Sequence, residues 1–363
     1  MKVIVLGTRG IPNILGGIET HCQELYPRLV KLGCEVTLIT RKSYVHDLSI
    51  VEYKGVKLKH IFTPKKKSFE AIIHTFLGVL YARIKSPDIL HIHAIGPSLM
   101  VPLARLLGLK VVVTNHGPDY DRQKWGKVAK KILIFGEKLG TKYANKVIVI
   151  SNVINDILKD KYQRMDCHLI YNGVSLPKKS TSKNYIESIG LEENKYIIAV
   201  GRFVEEKGFH DLVNAYKDID TDIKLVLVGD ADHESNYSIK LKEEARNYNI
   251  ILTGFIRGEE LNQIFSYAKL FVMPSYHEGL PIALLEAMSY NLDVLVSDIP
   301  ANLEVSLDEE DYFLTGKVSE LIAKLNYKLK TIKENNFSEI IIQKYNWNLI
   351  SENVLEVYKK VRV

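Results

Sequence analysis

The chain has 363 residues, 46% hydrophobic and 25% charged, with a formal net charge of +6; this length suits two ordinary domains, and the composition excludes a disordered chain. Cys22, Cys34 and Cys167 lie far apart without C-x-x-C or Cys/His spacing, and fit reduced thiols better than disulfides or a metal site. No run of about 18 apolar residues occurs, because Arg83, Lys85, Arg105 and Lys110 interrupt the candidates, so no spanning helix is expected.

Residues 1–170 are strongly basic, whereas the remainder carries more acid than base. The basic half is expected to face something anionic. Nucleic acid is disfavoured, because no nucleic-acid module or aromatic-basic repeat occurs. A membrane surface or a polyphosphorylated lipid fits better.

The apolar run Val3 to Leu6 reads as a first strand rather than a signal segment, and Gly7 to Gly17 as a glycine-rich loop before a helix from Ile18 to Leu32. The loop lacks G-x-G-x-x-G, which argues against a dinucleotide oxidoreductase. Gly16 and Gly17 would let backbone approach a phosphate, or simply make a tight turn. Strands follow at Val36 to Thr40 and Gly55 to Phe62. Lys65 to Lys67 reads as a solvated loop or an anionic-lipid contact. A helix from Phe69 to Ile84 leads to the strand Ile89 to His93, where alternation puts His91 and His93 on one face. No further metal ligands are evident, so satisfied buried histidines are the simpler reading. The strand Val111 to Gly117 carries His116 at its carboxyl end, the edge where open α/β sheets bind ligands. Arg122 to Lys146 interleaves lysines with Trp125, Ile132, Phe135 and Tyr143, as in a basic amphipathic helix that faces water or a membrane interface. Lys146 to Ser151 is expected to close the first domain as its sixth strand.

Leu176 to Tyr185 is polar and aperiodic, a linker. A second βα series begins at Tyr196 to Val200 and continues through Leu225 to Val228, Ile250 to Thr253, Leu270 to Met273 and Val294 to Ser297. Two such series imply two parallel-sheet domains facing a cleft. Arg202 and Lys207 follow the first of these strands, where fixed cations could meet a diphosphate. Pro281 is placed at the first turn of a helix in which Glu286 is the lone carboxylate among apolar residues up to Met288. Amides near Gly279, Leu280 and Ile282 would favour an anion, and Glu286 would accept from ribose hydroxyls.

The stretch Pro274-Ser-Tyr-His-Glu278-Gly-Leu-Pro281-Ile-Ala-Leu-Leu-Glu286-Ala-Met288 resembles the donor-site signature of retaining GT4 glycosyltransferases of GT-B fold. Gly201-Arg202-Phe-Val-Glu-Glu-Lys207-Gly208 resembles their diphosphate motif, the Gly16-Gly17 pair their closing loop, and His116 their donor-sugar histidine. The resemblance covers essentially the whole chain. It implies an α/β fold of two Rossmann-like parallel-sheet domains: 1–172 for the acceptor, 173–344 for the donor, and 345–363 a helix returning to the first. Trp347, Ile350, Val354 and Val357 would be the buried face of that helix. The resemblance also implies that Gly254, Phe255 and Ile256 border the base pocket, that Arg202 and Lys207 meet the leaving diphosphate beside Gly279, Leu280 and Pro281, that Glu278 and His116 touch the transferring sugar, and that Glu286 holds the ribose. Two features depart from the common pattern: Asn291-Leu-Asp293 replaces Gly-x-Pro, and Asp298 to Glu304 replaces a glycine-rich loop. The latter, with Gly7-Thr-Arg-Gly-Ile-Pro12, resembles the branch containing rhamnosyltransferases of bacterial surface polysaccharide assembly.

The expected activity is therefore metal-independent, retaining transfer from a UDP-, dTDP- or GDP-sugar, without other cofactor, to a polyprenyl-diphosphate-linked glycan. The expected location is cytoplasmic, peripheral on the inner membrane face. The alternatives are a nucleotide-sugar epimerase of the same architecture and a non-catalytic nucleotide- or lipid-binding module.

Overall fold

The computed structural model describes the whole chain except residues 15, 46, 65–69, 122–125, 232–233, 332 and 363. Its chain divides into two compact units, Met1–Gly173 together with Tyr345–Val363, and Val174–Lys344.

The first unit contains β1 (Lys2–Leu6), β2 (Glu35–Arg41), β3 (Glu52–Tyr53), β4 (Val56–Ile61), β5 (Ile89–His93), β6 (Val111–Asn115), β7 (Lys146–Val149) and β8 (His168–Leu169). They form one sheet in the order β3-β4-β2-β1-β5-β6-β7-β8, parallel except for β3 against β4. β5 and β6 are buried along their whole length, which explains their near-continuous apolar sequence. β4 alternates instead, Val56 and Leu58 inward and Lys57 and Lys59 outward. After β1 the chain builds outward on one side through β2 and β4, then returns to lay β5 on the other. The carboxyl ends of β1 and β5 therefore flank a topological switch point.

The helix Trp347–Arg362 belongs to this unit. Its Trp347, Ile350, Val354, Val357, Tyr358 and Val361 enter the core containing Val3, Leu25, Leu29 and Val36. A side chain at Gly173 would meet the Trp347 ring at 2.6 Å.

The second unit contains β9 (Tyr196–Val200), β10 (Lys224–Val228), β11 (Ile251–Gly254), β12 (Leu270–Met273), β13 (Asp293–Ser297) and β14 (Tyr312–Phe313), all parallel, in the order β11-β10-β9-β12-β13-β14. Its switch point lies between β9 and β12. Ile197, Leu225, Leu227, Val272 and Leu295 from the sheet pack with Phe209, Leu212 and Leu321 from the helices. Asn291 takes the left-handed conformation, φ 56°, in the turn before β13, the geometry Asn tolerates where the common family pattern has Gly-x-Pro.

Three sequence expectations are corrected. The first sheet does not end at residue 151: β8 extends it, two residues being too short to show a period. The basic helix begins at Lys127 rather than near Asp121, which lies in a separate 3-10 turn. The 176–185 segment is no free linker, because the Ser180 amide donates to Ser266 Oγ at 2.9 Å, Tyr267 Oη donates to Ser180 O at 2.8 Å, and Tyr185 lies within the helical turn Asn184–Ser188.

Candidate active site

In the second unit β9 and β12 are neighbours, so the loops leaving their carboxyl ends meet. They are in backbone contact at Gly208, φ +65°, where a side chain would lie 2.0 Å from the Pro274 carbonyl oxygen. The Tyr276 amide donates to Glu206 O at 2.9 Å, and the Tyr276 ring stacks on His210 at 5.9 Å. Lys207 Nζ consequently donates to Glu278 Oε1 at 2.6 Å, and Ser275 Oγ donates to the same oxygen at 2.8 Å. These charged side chains are only 18% and 11% exposed. The family resemblance implies a diphosphate contact for Lys207 and a sugar contact for Glu278; the fold brings the two side chains together. An ammonium has three N–H donors, so this pairing leaves Lys207 two with which to meet an anion. Arg202 is half-buried two residues beyond β9.

The helix following β12 spans Ile282–Ser289. Pro281 is its N-cap, not its first turn, and the Ile282 amide donates to Leu280 O at 3.0 Å, so it is not an open anion donor. Proline has no N–H, and the preceding turn bends tightly enough to satisfy the next one. No side chain caps this helix, the condition in which first-turn amides are left to solvent or ligand. Glu286 is half-buried and stands one turn above Ile282 on the same face. Burial, then the neighbouring Glu286, pushes the Tyr290 phenol up to about 12. Gly254 takes φ +66° at the end of β11, its carbonyl accepts from the Gly229 amide at 3.0 Å, and Phe255 beyond it is 40% exposed. β11 stands two strands from β9, roughly 10 Å.

In the first unit the loop after β1 closes on β5: a side chain at Gly7 would meet His93 O at 2.1 Å. Gly16, at φ 142°, caps the helix Gly17–Lys31, and a side chain there would meet Glu19 Oε2 at 2.0 Å. Glu19 is buried and accepts from the Arg9 amide at 2.9 Å, tying the loop to that helix. Gly17 is exposed.

His93 ends β5, His116 follows β6, and His21 lies on the helix Gly17–Lys31. His93 Nδ1 and His116 Nε2 are 2.9 Å apart, and the His21 ring meets both edge-on at 5.5 and 5.0 Å. His21 Nδ1 is 2.8 Å from Asn172 Oδ1. Burial holds His21 down to about 4 and His91 to about 3, with His93 and His116 well below the usual imidazole range. All four are neutral at pH 7. His91 and His93 do share a face, stacked at 4.3 Å. The expectation that they lack nearby metal ligands is corrected: one ring nitrogen from each of His21, His93 and His116 lies within 4.8 Å of the others. Sequence reasoning missed His21, one histidine in an amphipathic helix. Its signal is its place near the start of the helix after β1, from which Tyr26, further along, also reaches His91 and His93 of β5.

Lys65 to Lys67 and Arg122 to Trp125 lie outside the described residues. On the helix Lys127–Tyr143, Lys131, Lys138 and Lys142 are exposed together with Val128, Ile132 and Phe135. Among the described residues no helix is long and apolar enough to cross a membrane.

Residues 181–359 match the family profile "Glycosyl transferases group 1" and residues 15–178 match "Glycosyltransferase Family 4". The chain is 26% identical to the UDP-Gal:alpha-D-GlcNAc-diphosphoundecaprenol alpha-1,3-galactosyltransferase of Escherichia coli, over 92% of this chain and 91% of that one. It is also 26% identical to the capsular polysaccharide biosynthesis glycosyltransferase CapH of Staphylococcus aureus, over 85% of each. The crystal structure of Anabaena Alr3699/HepE in complex with UDP-glucose superposes with a TM-score of 0.83 at 17% identity, covering 99% of this chain and 100% of that one. With two Rossmann-like parallel sheets and family matches that together span most of its length, the chain belongs to the GT4 family of glycosyltransferases and has the GT-B fold.

Proposed function

We propose that the protein transfers a sugar, with retention, from a nucleotide diphosphate sugar to a polyprenyl-diphosphate-linked glycan in surface polysaccharide synthesis. The observation that carries this reading is the meeting of Lys207 and Glu278 at the switch point of the second sheet, beside an uncapped helix and Arg202. Arg202 and Lys207 neutralise the charge that grows on the leaving diphosphate as the glycosidic bond breaks. Glu278 orients the Lys207 ammonium and contacts the transferring sugar. Glu286 accepts from the ribose hydroxyls, and Gly254 to Ile256 border the base. No carboxylate nucleophile is assigned: acceptor and leaving group occupy one face of the sugar, and the leaving phosphate takes the acceptor proton. The acceptor class is supported by the likeness to the E. coli galactosyltransferase, whose name carries a diphosphoundecaprenol acceptor.

Lys207→Ala and Glu286→Ala are each expected to lower transfer at least tenfold while the fold persists, measured as sugar incorporated into lipid-linked glycan alongside circular dichroism. Near-normal turnover in both would remove the assignment. The exposed lysines and apolar side chains of Lys127–Tyr143 support a peripheral membrane contact. Flotation with anionic vesicles should fall on Phe135→Glu; unchanged flotation would place the contact elsewhere.

A further inference from the structure

We propose that His21, His93 and His116 form a binding site for a transition-metal cation of the Zn2+ class, with three imidazole ligands and a fourth position left to water. One ring nitrogen from each lies within 4.8 Å of the others, and the His93–His116 pair is already at 2.9 Å. Two imidazole nitrogens on a tetrahedral zinc stand about 3.4 Å apart, so small ring rotations complete the set. On His21 and His93 the nitrogen facing away from the cluster has a hydrogen-bond partner. Asn172 Oδ1 can only accept, so His21 Nδ1 carries the proton and Nε2 holds the lone pair. His93 Nε2 is bonded to Tyr26 Oη, which leaves Nδ1 for a ligand. Such partners on the second nitrogen fix ring orientation in metal-binding histidines.

A cation takes the neutral form of each imidazole. An all-nitrogen set disfavours Mg2+ and Ca2+, which take oxygen, and suits Zn2+ or Co2+. His116 is half-buried while the other two are buried, so it is the ligand that an entering ion meets first. All three side chains belong to the first unit, so the site stands or falls separately from the donor-site assignments in the second. The transfer reaction proposed above does not require the ion.

The test uses the full-length protein, stripped with EDTA, dialysed, and titrated with ZnCl2 by calorimetry and with CoCl2 by visible spectroscopy. One equivalent per chain is expected, with the intense bands of four-coordinate Co2+. His21→Gln and His116→Gln should each weaken Zn2+ binding at least tenfold, and His60→Gln, a substitution outside the cluster, should leave it unchanged. If His21→Gln misfolds by circular dichroism, His116→Gln, nearer the surface, carries the comparison. Binding well below one equivalent, a six-coordinate cobalt spectrum, or unaltered affinity in His116→Gln would overturn the proposal and leave the three rings as a hydrogen-bonded cluster only.

Discussion

His74 shows how much one buried ring can weigh. It is fully buried, its Nε2 lies 3.2 Å from Thr40 O, and burial followed by the nearby Arg41 charge lowers it from 6.5 to about 4. Around it Arg41 pairs with Glu70 at 3.1 Å, and Tyr44 donates to the same carboxylate at 3.2 Å. Because the folded pKa is depressed, the unfolded chain takes up the proton first as pH falls. Stability is therefore lost between about 6.5 and about 4, by roughly 2 kcal/mol at pH 5 from this residue. Urea titrations of wild type and His74→Gln at pH 7 and pH 5 should differ in pH sensitivity by about that amount; parallel losses would mean that His74 is not held neutral. The site residues are unevenly legible in sequence. Glu278 and Glu286 stand in one motif, but the 2.6 Å approach of Lys207 to Glu278 spans 71 residues and follows from strand order, which no local spacing encodes. His116 is found at the end of a readable strand. His21 is not, because what distinguishes it is its contact with His93 and His116, far away in the chain.

At the scale of elements, apolar runs of four or five residues bounded by Gly, Asn or Pro reveal most of the parallel strands. β3, β8 and β14, two residues each, are too short to carry a pattern and are held by their neighbours. Helix packing is equally local in its demands. Gly136 and Gly140 lie one turn apart on Lys127–Tyr143, and a side chain at Gly136 would stand 2.2 Å from the Ile95 carbonyl oxygen. In an exposed helix Gly→Ala gains about 1 kcal/mol. Here the intruding methyl meets backbone, and overpacking typically costs 1–3 kcal/mol, about enough to reverse the sign. Gly136→Ala should thus lower the urea midpoint; a raised midpoint would show that the helix shifts away freely.

At the scale of the molecule, the helix Trp347–Arg362 completes a core whose strands come from the opposite end of the sequence. Six of its side chains are buried there. At roughly 1.5–3 kcal/mol each their removal costs about 10 kcal/mol or more, comparable with the whole stability of a typical domain. A chain ending at residue 344 should therefore lose hydrogen-exchange protection in β1, β2 and β5 while β9, β12 and β13 keep theirs; protection retained in both sheets would contradict this account of the core. The second unit is thus nested inside the first, entered after Gly173 and left before Tyr345. On a ribosome the inner unit can finish as soon as its own residues emerge. The outer one, though begun earlier, must wait for the last helix to arrive, so the portion translated first is the last to mature.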